Sequence, residues 1–328
     1  MTGRFMGRTV LVTGGAGFLG SSLVHALLAE GASVRILDAM VPEGGANRAN
    51  LLGAETATLV VGDLRDVDLV PLCRAVDVVF NLAGQTSHIG SVQNPDADLA
   101  INAGAQLRLI RALREVAPTA IVVHASTRQM YGTPRHLPVA EDHPIDPPDP
   151  NGISKWAGER YWMLEHRLHG RAVIALRLTN CYGPRLRVRD AKQMFLGFWI
   201  RCALEARPFE VWGGEQTRDL AHADDVVEAF LLAALTQAAW GRVFNLGGAL
   251  PASLREIAET LVAHAPGAGF EIRPFPADRA RIDIGSYHAD DSAFREATSW
   301  EPRVGLRDGI ASTLDWYRER LSLYVGEA

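Results

Sequence analysis

Cysteine is scarce: Cys73, Cys181 and Cys202 stand far apart in a chain of 328 residues. Their odd number and wide spacing argue against a disulfide framework and against a thiolate metal centre, and favour a reducing compartment, the cytoplasm. No apolar run reaches the length needed to span a bilayer, and Met1–Arg8 is too short and too polar for a secretion signal. Long basic clusters are missing too, and the formal net charge is −5, so neither nucleic acid nor a membrane is an expected partner. Internal repeats and low-complexity tracts are absent. What remains is an ordinary globular composition, 48% hydrophobic and 22% charged, in a chain long enough to bury a large core in one domain or two.

Strand-like and helix-like runs alternate through the first half. Strands are predicted at Thr9–Thr13, Ser33–Leu37, Thr58–Val61, Val76–Asn81, Ala120–Ala125 and Val173–Leu178, and helices at Ser21–Glu30, Asp66–Arg74, Ala97–Val116 and Ile153–His169. The proline-rich stretch Asp142–Asn151 reads as an extended loop. This alternation implies an α/β fold with a doubly wound parallel sheet, in which ligands sit outside the carboxyl ends of the strands. After Asn180 the alternation weakens, with helices expected at Phe195–Ala206, Asp224–Thr236, Ser253–His264 and across Val304–Leu323, and strands at Arg242–Asn245 and Phe270–Pro274.

The stretch Thr13–Gly20, TGGAGFLG, joins the first strand to the first helix. Gly14, Gly17 and Gly20 are spaced GxxGxxG, and backbone N–H groups at such a helix start can hold a pyrophosphate. An acid about twenty residues on completes a dinucleotide signature, and Asp38 stands there, at the end of the second strand. A carboxylate at that point accepts from a ribose 2′-hydroxyl and repels a 2′-phosphate, so NAD is favoured over NADP. Arg35 and Arg48 flank Asp38 and keep the phosphate-bearing cofactor open as an alternative.

Taken in order, TGGAGFLG, GDLRD, NLAGQTS, HASTRQMYG, NGISKWAGE, LRLTNCYGPR and TRDLAHADDVVEA cover nearly the whole chain. Together they resemble the extended short-chain dehydrogenase/reductase family, and within it the nucleotide-sugar epimerases and dehydratases, such as UDP-glucose 4-epimerase-like and dTDP-glucose 4,6-dehydratase-like enzymes. The resemblance implies a Rossmann-type domain over residues 1–180, with parts of 217–247 and 283–292 returning to it, and a smaller C-terminal substrate-binding lobe within 181–328. It further implies that Gly14, Gly17, Phe18, Leu19 and Gly20 hold the pyrophosphate of NAD and Asp38 its ribose. Asp63 and Leu64 would meet the adenine, Leu82, Ala83 and Gly84 would line the cofactor cleft, and Asn102 would lie on a helix near the active site. Lys155 would bind the nicotinamide ribose, and Thr127 would bond the sugar oxygen being oxidised. On the substrate side Ser87, Asn180 and Arg218 would contact a nucleotide sugar, Asn180 and Arg218 at its diphosphate. Arg187, Gln193, Arg279 and Arg281 fall in segments lining the nucleotide pocket. UDP and TDP sugars are the commoner substrates, no metal is implied, and the helices Ala97–Val116 and Ile153–His169 would pair across a homodimer.

Two departures weaken the usual mechanism. The family's tyrosine base, four residues before the lysine, is replaced by Asn151, which is neutral and cannot take a proton as a phenolate would. Asn151 follows Pro150 and could serve simply as a helix N-cap. After Thr127 the chain reads Arg128-Gln129, where the dehydratases carry two acids. His88, Tyr131 and a water held by Asn151 and Lys155 are the candidate substitutes for the missing base. The expected activity is therefore an NAD-dependent epimerase or dehydratase using transient hydride transfer from a sugar carbon, often C4. A keto-sugar reductase and a catalytically inert NAD- and nucleotide-sugar-binding protein are the alternatives.

Overall fold

The computed structural model describes residues 3–191, 193–276 and 283–326. Its centre is a seven-stranded sheet in which every neighbouring pair is parallel. In chain order its strands are β1 (Thr9–Thr13), β2 (Ser33–Asp38), β3 (Thr58–Val61), β4 (Val78–Asn81), β5 (Ile121–Thr127), β6 (Val173–Leu178) and a late strand, Arg242–Leu246, beside β6. Across the sheet they run Arg242–Leu246, β6, β5, β4, β1, β2, β3, so the winding reverses between β1 and β4. Ligands of doubly wound sheets bind at such a switch point, beyond the carboxyl ends of the two strands.

Side-chain alternation along each strand feeds two cores. Val10, Val12, Val34, Ile36, Phe80 and Val123 face one way, against α1 (Phe18–Ala29) and the helix Ala223–Leu235. Leu11, Leu37, Val79 and Val122 face the other, against the helices Leu69–Cys73, Ala105–Val116 and Pro150–His169, where Leu109, Leu113 and Trp162 are fully buried. Each such side chain contributes roughly 1.5–3 kcal/mol of burial.

A third core gathers Tyr182, Leu186, Leu196, Trp199, Phe209, Ile257, Leu261 and Tyr317. Over it lie a three-stranded sheet (Asn180–Tyr182, Thr217–His222, Pro251–Ser253) and a parallel pair, Pro208–Trp212 with Gly269–Arg273. The chain returns to the large sheet through Ala223–Leu235 and Arg242–Leu246, and again where Phe294 and Trp300 enter the first core.

Two helices differ from the sequence expectation in ways that matter for the site. The run expected as one helix at 97–116 begins at Pro95 and contains a π-turn, Ala100–Gly104, between Pro95–Leu99 and Ala105–Val116. The helix expected from Ile153 begins at Pro150, because Asp149 caps it. Asn180–Tyr182 and Pro251–Ser253 are too short to establish a period, and Thr217–His222 (TRDLAH) mixes charged and apolar residues without a clean alternation, so none of the three is signalled by periodicity.

Candidate active site

The glycine turn shows why side chains are excluded from it. Gly14 has φ +71°, and a Cβ on it would stand 2.9 Å from the Ala83 nitrogen at the end of β4. A Cβ on Gly20 would lie 2.1 Å from the Gly14 carbonyl oxygen. Gly17 starts α1 with no side-chain cap, and the first turn carries no acid, so the leading N–H groups of Phe18, Leu19 and Gly20 stay available to an anion. Asp38 is buried at the end of β2 and accepts from the Ala16 N–H at 2.9 Å and the Met40 N–H at 2.8 Å. Burial raises its pKa, and the backbone N–H groups counter this only in part. Arg35 donates to the carbonyls of Leu72 and Arg74, on the far side of β2. That diversion leaves Asp38 without a phosphate-binding partner from its own strand. The cradle, its bare helix start and the buried carboxylate fit NAD.

Around this cradle the remaining cofactor candidates occupy different roles. Asp63 accepts from Arg65 through both oxygens, which holds its pKa low. Leu64 is buried in the second core. Leu82 follows Thr13 in a polar seam that stitches the switch point. There the Leu82 N–H reaches the Thr13 carbonyl, the Thr13 hydroxyl donates to Asn81 Oδ1 at 2.7 Å, and Asn81 in turn donates to Gln106 at 2.6 Å. Asn102 is neither solvated nor free. It lies buried in the π-turn and brackets Gln85, accepting from its N–H at 3.1 Å and donating to its carbonyl at 3.2 Å.

Lys155 stands where the seam, the π-turn and the start of the helix Pro150–His169 converge. A Cβ on Gly84 would be 3.1 Å from its Nζ and 2.6 Å from Asn102 Oδ1, so only glycine admits the lysine at the end of β4. Desolvation draws the Lys155 pKa down to about 8, with Asp98 opposing the shift. Asp98 is fully buried, and its Oδ2 accepts from Asn151 Nδ2 at 3.0 Å.

Asn151 is not the N-cap. Asp149 fills that role, accepting from the Gly152 N–H at 2.8 Å, while Pro150 sits at the first helical position, where no N–H is needed. The buried Asn151 instead spends its amide on Asp98 and on the Gln85 carbonyl, 2.9 Å away. Asp149 also accepts from Gln129 Nε2 at 2.8 Å, and its Oδ2 lies 2.9 Å from Nδ1 of His88. Burial alone would push the Asp149 pKa up; His88 and the hydrogen bonds outweigh that and hold it down. His88 keeps a partly exposed ring at the start of the short helix His88–Gln93, whose N-cap is Ser87.

Thr127 ends β5 and accepts from the Gln129 N–H at 3.1 Å. Its turn packs on the start of the lysine helix, since a Cβ on Gly152 would be 3.3 Å from the Gln129 carbonyl oxygen. Tyr131, four residues on, is drawn away from this corner. Its hydroxyl donates to Asn245 at 2.7 Å and accepts from Arg177 at 2.6 Å. Burial pushes its pKa up to about 12. A phenol so committed and so weakly acidic is poorly placed to act as a base.

The substrate-side candidates separate into two groups. Arg218 is buried on Thr217–His222, donating to the Gly285 carbonyl at 2.7 Å and to Asp283 at 2.8 Å. Near it Asn180 accepts from Arg128 Nη2 at 2.6 Å. Arg187 instead pairs with Asp190 at 2.6 Å and reaches the Pro42 carbonyl, and Gln193 lies against Gly45. Both thus flank the segment that follows Asp38. Arg279 and Arg281 lie outside the described residues. Sequence reasoning passed over Arg128, Asp149 and Asp98. Only Asp149 carried a readable signal, an acid before a proline at a helix start.

The model of the NAD dependent epimerase/dehydratase family matches residues 10–247. The UDP-glucose 4-epimerase of Mycolicibacterium smegmatis is 34% identical over 313 residues, covering 94% of this chain and 98% of that protein. The dTDP-glucose 4,6-dehydratase of Streptomyces niveus is 30% identical over 320 residues, with 94% and 93% covered. Among solved structures, the UDP-glucuronic acid 4-epimerase of Bacillus cereus, in complex with UDP-glucuronic acid and NAD, superposes with a TM-score of 0.84 at 26% identity, covering 95% of this chain and 99% of that one. A cradle built for a dinucleotide, a desolvated lysine beside it and this extent of similarity agree: the chain belongs to the NAD dependent epimerase/dehydratase family.

Proposed function

We propose that this protein interconverts or dehydrates a nucleoside-diphosphate sugar, UDP- or TDP-linked, with His88 backed by Asp149 doing the work of the missing tyrosine. The observation that carries the reading is the convergence of Lys155, Gly84 and the Asp149–His88 pair at the start of one helix, beside the end of β4. Bound in the glycine cradle, NAD would supply the hydride acceptor for a sugar carbon, often C4, and return the hydride later. Gly14, Gly17 and Gly20 would hold its pyrophosphate, Asp38 one ribose and Lys155 the other. The Thr127 hydroxyl would bond the reacting sugar oxygen. His88 would take the proton of that hydroxyl at Nε2, because Nδ1 faces Asp149, and the imidazolium formed would be stabilised by that buried carboxylate. Arg218 and Asn180 would hold the diphosphate, a task suited to a guanidinium fork.

Apolar side chains left on the outer face of the lysine helix support a homodimer. Ile153, Trp156, Tyr161 and Leu168 are exposed, and Arg160, Met163, Leu164 and Arg167 line a shallow depression of about 220 Å³ beside them. No described helix is long and apolar enough to cross a membrane, and three unpaired cysteines fit a cytoplasmic location.

The commitment of Asn151 to Asp98 and Gln85 favours one alternative, a protein that binds NAD and a nucleotide sugar without turnover. Near-ultraviolet absorbance of reduced nicotinamide, followed through a single turnover on adding UDP- and TDP-hexoses, separates the two. A rise that decays supports the enzyme. Bound NAD with measurable sugar-nucleotide affinity and no absorbance change supports the binding protein, and a protein that binds no nucleotide sugar refutes both. A rise that persists until a keto-sugar is supplied would mark a reductase.

A further inference from the structure

Arg128 makes no ion pair with a described carboxylate, and Asp219 and Asp283 act on its charge only from a distance. Its Nη2 donates to a neutral amide, Asn180 Oδ1, at 2.6 Å, and its Cζ lies 4.8 Å from the ring centroid of Tyr287. Nη1 is sealed from solvent and has no hydrogen-bond partner among the described residues, and the Tyr287 hydroxyl is left in the same condition. Arg218 has its own carboxylate in Asp283, at 2.8 Å; Arg128 has no such ion pair among the described residues. Desolvation and the neighbouring Arg218 draw the Arg128 pKa down to about 10, the mark of a cation placed where its charge is unwelcome. A shielded guanidinium beside a second arginine costs stability unless an anion arrives to pair with it.

We infer that Arg128, with Asn180 and Arg218, forms an anion site that takes negatively charged oxygens of the substrate through the free Arg128 Nη1. This rests on the nucleotide-sugar reading above and deepens it. Two parts of such a substrate carry that chemistry: the diphosphate, and a carboxylate on the sugar. A residue that follows Thr127 directly is placed to meet either one, since Thr127 ends the strand on which the reacting sugar would rest.

The test is titration calorimetry on NAD-saturated wild-type and Arg128→Met protein with UDP, UDP-glucose, UDP-glucuronic acid and inorganic pyrophosphate. Loss of a charge-assisted contact should weaken binding about tenfold or more. If Arg128 meets the diphosphate, UDP and both sugars weaken alike in the variant. If it meets a carboxylate, UDP-glucuronic acid alone weakens. Either result supports the site. Affinities for all four ligands within about twofold of wild type, on the scale of an unused contact, overturn it while leaving the nucleotide-sugar reading intact. Pyrophosphate bound through Arg128 by a protein that binds no nucleotide sugar would leave the site standing and refute that reading; no binding of any of the four overturns both. Arg128→Met should also melt at a higher temperature than wild type without ligand, since it removes an unpaired shielded charge. Should the methionine variant fail to fold, Arg128→Lys keeps the charge and stem but loses the fork, and should weaken the same ligands in the same pattern.

Discussion

Lys155 and Lys192 are the only lysines in the chain, which makes the Lys155 amine unusually accessible to measurement. A lysine whose folded pKa is lowered to about 8 from 10.5 binds fewer protons folded than unfolded between those values. Its contribution to stability therefore rises as pH increases through that window, and below it the full penalty of burying the cation applies. Lys155→Met should accordingly be more stable than wild type at pH 7, by up to about 3 kcal/mol, with the gap closing as pH approaches 10.5. Urea unfolding at a series of pH values checks this, and a constant gap would refute the buried-cation account. Asp149 permits a second separation, because its cap and its contact with His88 use the same carboxylate. Asp149→Ser keeps the cap, so stability should change by no more than about 1 kcal/mol. The same variant should lower kcat while leaving KM for the nucleotide sugar unchanged, because His88 loses its carboxylate partner. An unchanged kcat would show that the pair is structural.

At the scale of elements, the π-turn is where the fold gives up regularity to build the site. π-turns inside helices are rare and recur at functional positions. Here the turn places the Asn102 side chain on both polar groups of Gln85, while its own carbonyl takes the closest approach of the lysine helix. A Cβ on Gly158 would stand 2.2 Å from the Asn102 carbonyl oxygen. Gly158→Ala should therefore push the two helices apart, costing about 1–3 kcal/mol and weakening NAD binding along with stability. Chemical denaturation and a fluorescence titration with NAD would test it; loss of stability with unchanged affinity would sever the turn from the cofactor site. Elsewhere the helices are held by ion pairs that contribute only in their buried setting. Glu159 takes Arg177 through two bonds, at 2.7 and 2.9 Å, and Ser126 donates to it at 2.6 Å.

At the scale of the whole molecule, the outward apolar residues of Pro150–His169 are the feature that a lone subunit leaves unsatisfied. Trp156 is 37% exposed and Tyr161 is 39% exposed, on the face opposite the one that buries Trp162. Contiguous apolar surface of that kind marks an interface. Trp156→Glu with Tyr161→Glu should halve the mass seen by analytical ultracentrifugation and leave the large core intact. A wild-type protein that already sediments as a monomer would refute the dimer. The double variant should also lose activity, since the helix of the proposed interface carries Lys155 and Asn151.

The sequence by itself determined the parallel sheet and the cofactor cradle. Strand and helix periods are local, and Gly14, Gly17, Gly20 and Asp38 stand in consecutive elements, from the turn after β1 to the end of β2, so their spacing sets their placement. Lys155 was legible only through the resemblance to a family motif, since its own helix period does not single it out. Tertiary structure decided everything that depends on which side chain meets which. Asn151 looked like a cap until Asp149 took that position and Asp98 took its amide. Tyr131 was available on paper, and Arg177 and Asn245, far away along the chain, removed it. Arg128 looked like a mere departure from a motif until packing shielded it beside Asn180 and Arg218. Hydrogen bonding and desolvation act across space between residues far apart in sequence, and their partners emerge only when the chain has closed.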